Sequence, residues 1–297
     1  VSAIQQKFNC QLALKTIFEN AAFMQLALVV RNKMREPSAD YPSPKQHAAQ
    51  TSFVASQAQV RMWVLHELDS ESSAYHMPVG FELATTVNID VLHAAYQALI
   101  ARHELLRSCF QQNEQGQVVC KILPSASCQF LPQIHSVENN VEISQKISDF
   151  ISQPFDLRQA PLIRLLILQL EQTTQIVFDM HHVISDGWSI DLLLEEFTNL
   201  YIALENNQLD SLQPVDFQYH DYCFWQHEMQ QNFWPAQLSY WLTALDDMAV
   251  VSLSPDIKKF TVNNIAATHN FVIDSEITSS IKFLADKNQC SLYMILI

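Results

Sequence analysis

Three glycines serve a chain of 297 residues. At ordinary usage, about 7%, a chain of this length carries roughly twenty. Most turns must therefore be made by Pro, Asn, Asp and Ser. A glycine that is kept then implies a backbone need, either a positive φ or the close approach of another group. Gly187 stands in FDMHHVISDGWSI (Phe178–Ile190), directly after Asp186 and shortly after His181 and His182. Three readings of this stretch stand open: a catalytic turn, a metal site, or a strand end with polar decoration.

Composition narrows the field. Apolar residues make up 48% of the chain and charged residues 16%, the balance of a soluble globular protein with a sizeable core. The length fits one large domain or two smaller ones. A net charge of −14 argues against nucleic acid, which needs a basic footprint, and against an anionic membrane surface. No apolar run reaches the roughly 18 residues of a membrane span, and no signal peptide is visible. Cys10, Cys109, Cys120, Cys128, Cys223 and Cys290 form no C-x-x-C pair. They read as free thiols of a cytoplasmic protein. Both ends read as cut: the chain begins in helical pattern at Val1 and stops in the apolar CSLYMILI. The expectation is a fragment of a longer protein.

Residues 1–32 carry helical spacing, in VSAIQQKF and LALKTIFENAAFMQLALVVRNK. MREPSADYPSPKQHAAQ then loses all apolar periodicity and reads as a linker over 33–50. The main domain is expected over 51–297. MPVGFEL reads as a strand, followed by a helix capped by Asp90. LLRSCFQ and QVVCKIL flank a hairpin centred on Gly116. VEISQKISDFISQPF is an amphipathic helix ended by Pro154, and LIRLLILQL and TQIVFDMHH are two strong strands. A helix, SIDLLLEEFTNLYIALE, follows them. Further helices are expected over 217–230 and 235–246, then a strand HNFVID and a helix SEITSSIKFLADKN. The class is mixed α/β, without internal repeats.

The histidine pair therefore occupies a strand-to-helix turn. Adjacent strand residues point to opposite faces, so one ring can face a pocket while the other is structural. That counts against zinc, as does the lack of further ligands at recognisable spacing. A histidine over a helix N-terminus suits proton transfer, because its pKa lies near neutral. Asp186 either orients a ring or fixes the turn through a salt bridge. A buried carboxylate needs a partner, and Arg61, Arg107 and Arg164 are the candidates.

Four stretches stand in order: SQAQVRMW (Ser56–Trp63), RHELLRSCF (Arg102–Phe110), MHHVISDGWS (Met180–Ser189) and YHDYCFWQ (Tyr219–Gln226). They resemble S-x-A-Q-x-R-[LM]-W, R-H-E-x-L-R-T-x-F, M-H-H-x-I-S-D-G-W-S and Y-x-D-[FY]-A-x-W-Q. These are motifs of the condensation domains of nonribosomal peptide synthetases. Ser108 stands where Thr is usual, and Cys223 where a small Ala is usual. The head, IQQKFNCQLALKTIFENAAFMQLA, resembles the last helices of a peptidyl carrier domain. The carrier's Gly-Gly-x-Ser, which bears the 4′-phosphopantetheine arm, is absent, and Ser2 has no preceding glycine. SAYHMP and ISDGW resemble condensation domains that join two L-configured groups. Epimerisation domains differ around the histidines, and heterocyclisation domains replace them with aspartates.

The resemblance implies a two-lobe fold like chloramphenicol acetyltransferase, with a tunnel between the lobes. Donor and acceptor carrier domains bring thioesters to opposite mouths, and an adenylation domain is expected in the parent chain. It implies that His182 is the tunnel histidine, acting on the attacking amine as base or by orientation. It implies that Gly187 lets a backbone N–H approach the oxyanion. Asp186 is expected to be structural, paired with Arg61, and His181 a packed neighbour. Trp188 is expected to pack, as are Trp225 and Tyr222, with Arg102 and His103 structural. No metal is expected. The second lobe is incomplete, so residues 1–297 alone are expected neither to condense nor to hold a closed tunnel. The rivals are a stand-alone acyltransferase using coenzyme A, a degenerate domain that only docks carriers, and an epimerase.

Overall fold

The structure is a computed structural model describing residues 4, 7–8, 10, 12, 14–20, 22–34, 42–83, 87–128, 130–208, 214–248, 269 and 271–297. The chain divides into two compact units, Pro42–Thr243 and Val1–Tyr41 with Ala244–Ile297.

At the head, α1 (Leu14–Glu19) and α2 (Phe23–Lys33) divide what reads in sequence as one periodic run. The break falls at Asn20. Its side-chain amide donates to the Thr16 carbonyl at 2.9 Å, in competition with the helical backbone. Ala22 then turns extended, with ψ 130°. Cys10, Leu12 and Val30 form a small buried cluster. Of the expected linker, residues 35–41 lie outside the described residues, and 42–50 carry no helix or strand.

The unit Pro42–Thr243 holds two sheets. The smaller has the order β1-β4-β3, from β1 (Ser52–Val54), β3 (Ser108–Gln112) and β4 (Val118–Ile122). The β3–β4 hairpin turns at Gly116, whose φ of 76° only glycine adopts without strain. The larger sheet has the order β2-β7-β6-β5, from β2 (Val79–Leu83), β5 (Gln133–Ser136), β6 (Ile163–Gln169) and β7 (Thr174–Met180). β5 lies parallel to β6, and the other pairs are antiparallel.

Strands β6 and β7 are mostly apolar because both faces are covered. Ile163, Leu165 and Ile167 join the main core, while Leu166 and Leu168 join a second cluster, as a two-residue period requires. The main core is completed by α3 (Gln57–Leu68), α4 (Ile89–Arg102) and α6 (Gly187–Glu205), which supply Trp63, Tyr96, Leu99 and Phe197. α5 (Asn140–Ser152) covers the opposite face with Ile143 and Phe150. α7 (Tyr219–Asn232) and α8 (Trp234–Ala244) follow.

Two expectations need correction. α4 is capped by Asn88, whose side-chain oxygen accepts from the N–H groups of Asp90 and Val91. Asp90 sits inside the first turn, two positions past the cap. HNFVID forms no strand over 271–274, and Asn270 lies outside the described residues. No described strand pairs with this segment, and an isolated strand leaves its backbone groups unsatisfied. The helix after it is present as α9 (Ser275–Lys287), capped by Asp274, and α10 (Leu292–Leu296) follows.

Candidate active site

Strand β7 ends at Met180, and α6 begins at Gly187. The turn between them is gripped from both sides. The His181 N–H donates to the Leu162 carbonyl at 3.0 Å, and the His182 N–H to the Tyr75 carbonyl at 2.8 Å. His76 forms a β-bridge with His181. The pleat thus continues through the pair, and the two rings part: His181 is buried, and His182 is exposed.

Hydrogen bonds assign opposite tautomers to these neighbours. His182 Nδ1 lies 2.6 Å from the Ser185 carbonyl oxygen. A carbonyl only accepts, so Nδ1 carries the proton, and neutral His182 keeps its lone pair on Nε2. His181 Nδ1 instead accepts from the Val183 N–H at 3.0 Å, which leaves its proton on Nε2. Burial pushes the His181 pKa down to about 3, helped by His66, His76 and His182. His181 is therefore neutral at working pH.

Asp186 is the N-cap of α6. Its carboxylate accepts from the Ser189 N–H at 2.8 Å and from the Ser189 hydroxyl at 2.6 Å. These bonds lower its pKa, with a smaller contribution from His182. Arg61 lines the same cavity as Asp186 and His182, but no ion pair joins Asp186 to Arg61. The expected pairing is corrected: a carboxylate already bound to the first turn of its own helix is satisfied locally. Gly187 also differs from expectation. Its φ lies outside the left-handed region, and a Cβ there would meet nothing within 4 Å. What glycine leaves at this helix start is open space.

Of the three candidate arginines, Arg164 pairs with a fully buried carboxylate, Asp179. It stands opposite Asp179 in the β6–β7 register and donates to it at 2.6 Å. Asp179 is fully buried and also lies 3.2 Å from His76 Nδ1, which reaches the Ile151 carbonyl at 3.0 Å. The Arg164 guanidinium lies over the Phe155 ring at 4.0 Å. Sequence reasoning missed His76 and Asp179. The signal was a carboxylate inside an otherwise apolar strand directly before the histidines, and a strand arginine on its neighbour.

All four motifs reach this site, the second through Leu105 in the cavity wall, and hydrogen bonds join three of them. Ser56 caps α3 in a capping box with Gln59. The Gln59 side chain then donates to the Val183 carbonyl at 3.3 Å, holding the turn after the histidines. The Ser56 hydroxyl meets the Tyr219 hydroxyl of α7 at 3.0 Å. The cavity beside His182, about 250 Å³, is lined by Ala58, Arg61, Asp186, Ser189 and Tyr219 among others. Arg102 and His103 both engage Glu196 on α6 and brace α4 against it.

The aromatic expectations divide. Trp188 is 79% exposed, so its packing role is corrected: the first turn of α6 points it outward. Tyr222 is 38% exposed and lines a neighbouring cavity rather than the core. Trp225 is partly buried against Tyr222, and its indole N–H donates to the Pro42 carbonyl. Among the described residues, no group of three or more His, Cys, Asp or Glu side chains is placed to hold a metal ion. No described helix is long and apolar enough to cross a membrane.

The sequence profile of the family described as "Condensation domain" matches residues 49–297. The chain belongs to the condensation-domain family. A plipastatin synthase protein of Bacillus subtilis (strain 168) is 33% identical over 301 residues, covering 100% of this chain and 11% of that protein. Surfactin synthase subunit 1 of the same organism is 30% identical over 302 residues, covering 100% of this chain and 8% of its own length. The first condensation domain of the CDA synthetase shares the fold, with a TM-score of 0.66 at 17% identity over 81% of this chain and 58% of that one. The X-domain–OxyB complex from teicoplanin biosynthesis gives a TM-score of 0.64 at 20% identity, over 74% of this chain and 49% of that one. The chain thus spans about half of these condensation-fold structures and a small part of the synthetases.

Proposed function

We propose that this chain is part of a peptide-extending module of a nonribosomal peptide synthetase. It joins a donor acyl thioester to the amine of an acceptor aminoacyl thioester, both presented on carrier domains. The observation that supports this reading most is the His182 tautomer. With Nδ1 tied to the Ser185 carbonyl, the ring holds a proton acceptor at Nε2 in the cavity wall.

The amine attacks the thioester carbonyl while Nε2 accepts a proton from the nitrogen. The C–N bond forms, and the tetrahedral intermediate collapses with loss of the donor thiolate. The imidazolium returns the proton to that sulfur. Asp186 stays ionised beside the ring, its pKa lowered chiefly by its bonds to Ser189. The open start of α6 at Gly187 favours the oxyanion, since a helix N-terminus carries partial positive charge. General-base work typically contributes about 10²–10⁴-fold. His181 stays neutral beneath and holds the turn. Arg61 lines the approach, and Trp225 anchors the segment that enters the unit.

The 4′-phosphopantetheine arm supplies the thiol to which each acyl group is joined. It belongs to the partner carriers, since Ser2 lacks the carrier motif. We assign residues 1–32 to the end of a carrier domain, 33–50 to a linker and 51–297 to the condensation domain. An adenylation domain in the parent chain would load the acceptor, and the sequence favours L-configured groups on both sides. In the complete module, His182→Ala is expected to lower amide formation at least 10²-fold while carrier binding is unchanged. Unchanged amide formation would overturn the role of His182, whereas carrier binding without amide formation in the unsubstituted module would favour a domain that only docks carriers. Transfer from free coenzyme A thioesters at the rate of carrier thioesters would favour the stand-alone acyltransferase.

A further inference from the structure

A second cavity adjoins the one beside His182. It measures about 360 Å³, and the two share Leu105, Ile184, Ser185, Ser189 and Tyr219. Its other walls include Leu106, Leu192, Phe217 and Tyr222. The volume lies at the lower end of the range that small organic groups fill. Its one carboxylate, Glu196, is engaged by both Arg102 and His103, so it offers no uncompensated charge to a ligand. The walls are mostly apolar, and the shared residues separate them from the cavity that His182 lines. A group bound there would lie next to the His182 cavity.

We propose that this cavity receives an uncharged, bulky apolar side chain of one of the two acyl groups being joined, and that Leu192 sets its size. This rests on the condensation reading of the His182 site and deepens it. A free side chain loses contact with water on entering, which favours larger apolar groups; one methylene in such a pocket typically changes a rate by about 10-fold or more. Leu192 is 56% exposed, so the cavity can be narrowed or widened there without opening the core. The same chemistry can arrive on either carrier, and the experiment separates the two.

The test uses the complete module, with alanyl or leucyl groups loaded first on the donor carrier and then on the acceptor carrier. Wild type is expected to join the leucyl group at least about 10-fold faster at one of the two positions. Leu192→Trp removes that preference at the same position while alanyl transfer persists. Leu192→Ala shifts the preference towards a tryptophanyl group. Melting temperatures check that each variant is folded. A leucyl-to-alanyl ratio unchanged in both arms, or an equal fall for every pair, overturns the proposal; the second result is what a face covered by the remainder of the domain would give. If wild type joins no pair at all, the condensation reading itself fails, and the cavity assignment with it.

Discussion

His181 is held neutral by its surroundings, and that has a pH signature. In the unfolded chain its ring takes up a proton near pH 6.5, but in the folded protein only near 3, because burial and three neighbouring imidazoles oppose the charge. Between those values the unfolded state binds more protons, so stability falls as pH falls. A shift of that size corresponds to at most about 5 kcal/mol by pH 3. His66, also lowered chiefly by burial, adds in the same direction. Asp179, paired to Arg164 and His76, lies in the same cluster. His181→Asn is therefore expected to flatten the fall of the urea midpoint between pH 6.5 and 4. An unchanged slope would mean that the ring titrates normally. The motif's polar residues were legible as a group, but their partners were not. A string of letters does not tell that Asp186 turns back onto Ser189 instead of reaching Arg61.

Strand pairing carries the site at the next scale. Arg164 and Asp179 face each other across β6 and β7, on the side covered by α5, where Phe150 and Phe155 lie near the guanidinium. Through His76 the same carboxylate reaches the segment that bridges His181. Removing one member of a buried ion pair leaves the other without compensation. Asp179→Ala is expected to cost about 3–5 kcal/mol in urea denaturation, and Asp179→Asn less, because it can still accept a hydrogen bond. A loss below about 1 kcal/mol would show that solvent reaches Arg164 in place of the carboxylate. The strands and α6 were readable from apolar period and capping residues. β1 and β5 were not, because short strands with mixed exposure owe their form to the neighbour they pair with.

For the whole molecule the matched proteins set the frame. The chain covers 58% of the solved first condensation domain of the CDA synthetase. Residues 1–297 alone are expected to form no amide from two loaded carriers, while the complete module does; product from the isolated chain, measured by mass spectrometry, would overturn this. The family was readable in four ordered motifs, and the structure gives three of them a shared physical reason. Ser56 and Gln59 hold the turn that presents His182, and Tyr219 closes onto Ser56. Local chemistry is written in local sequence: turn residues, caps and the two-residue period place β6, β7, α6 and the histidine turn without reference to distant residues. Choices among distant partners are different in kind. Arg164 rather than Arg61 meets a buried carboxylate, Trp188 faces outward, and an apolar cavity opens beside His182. Each depends on which surfaces meet after the sheet closes over its helices, and no spacing along the chain encodes that.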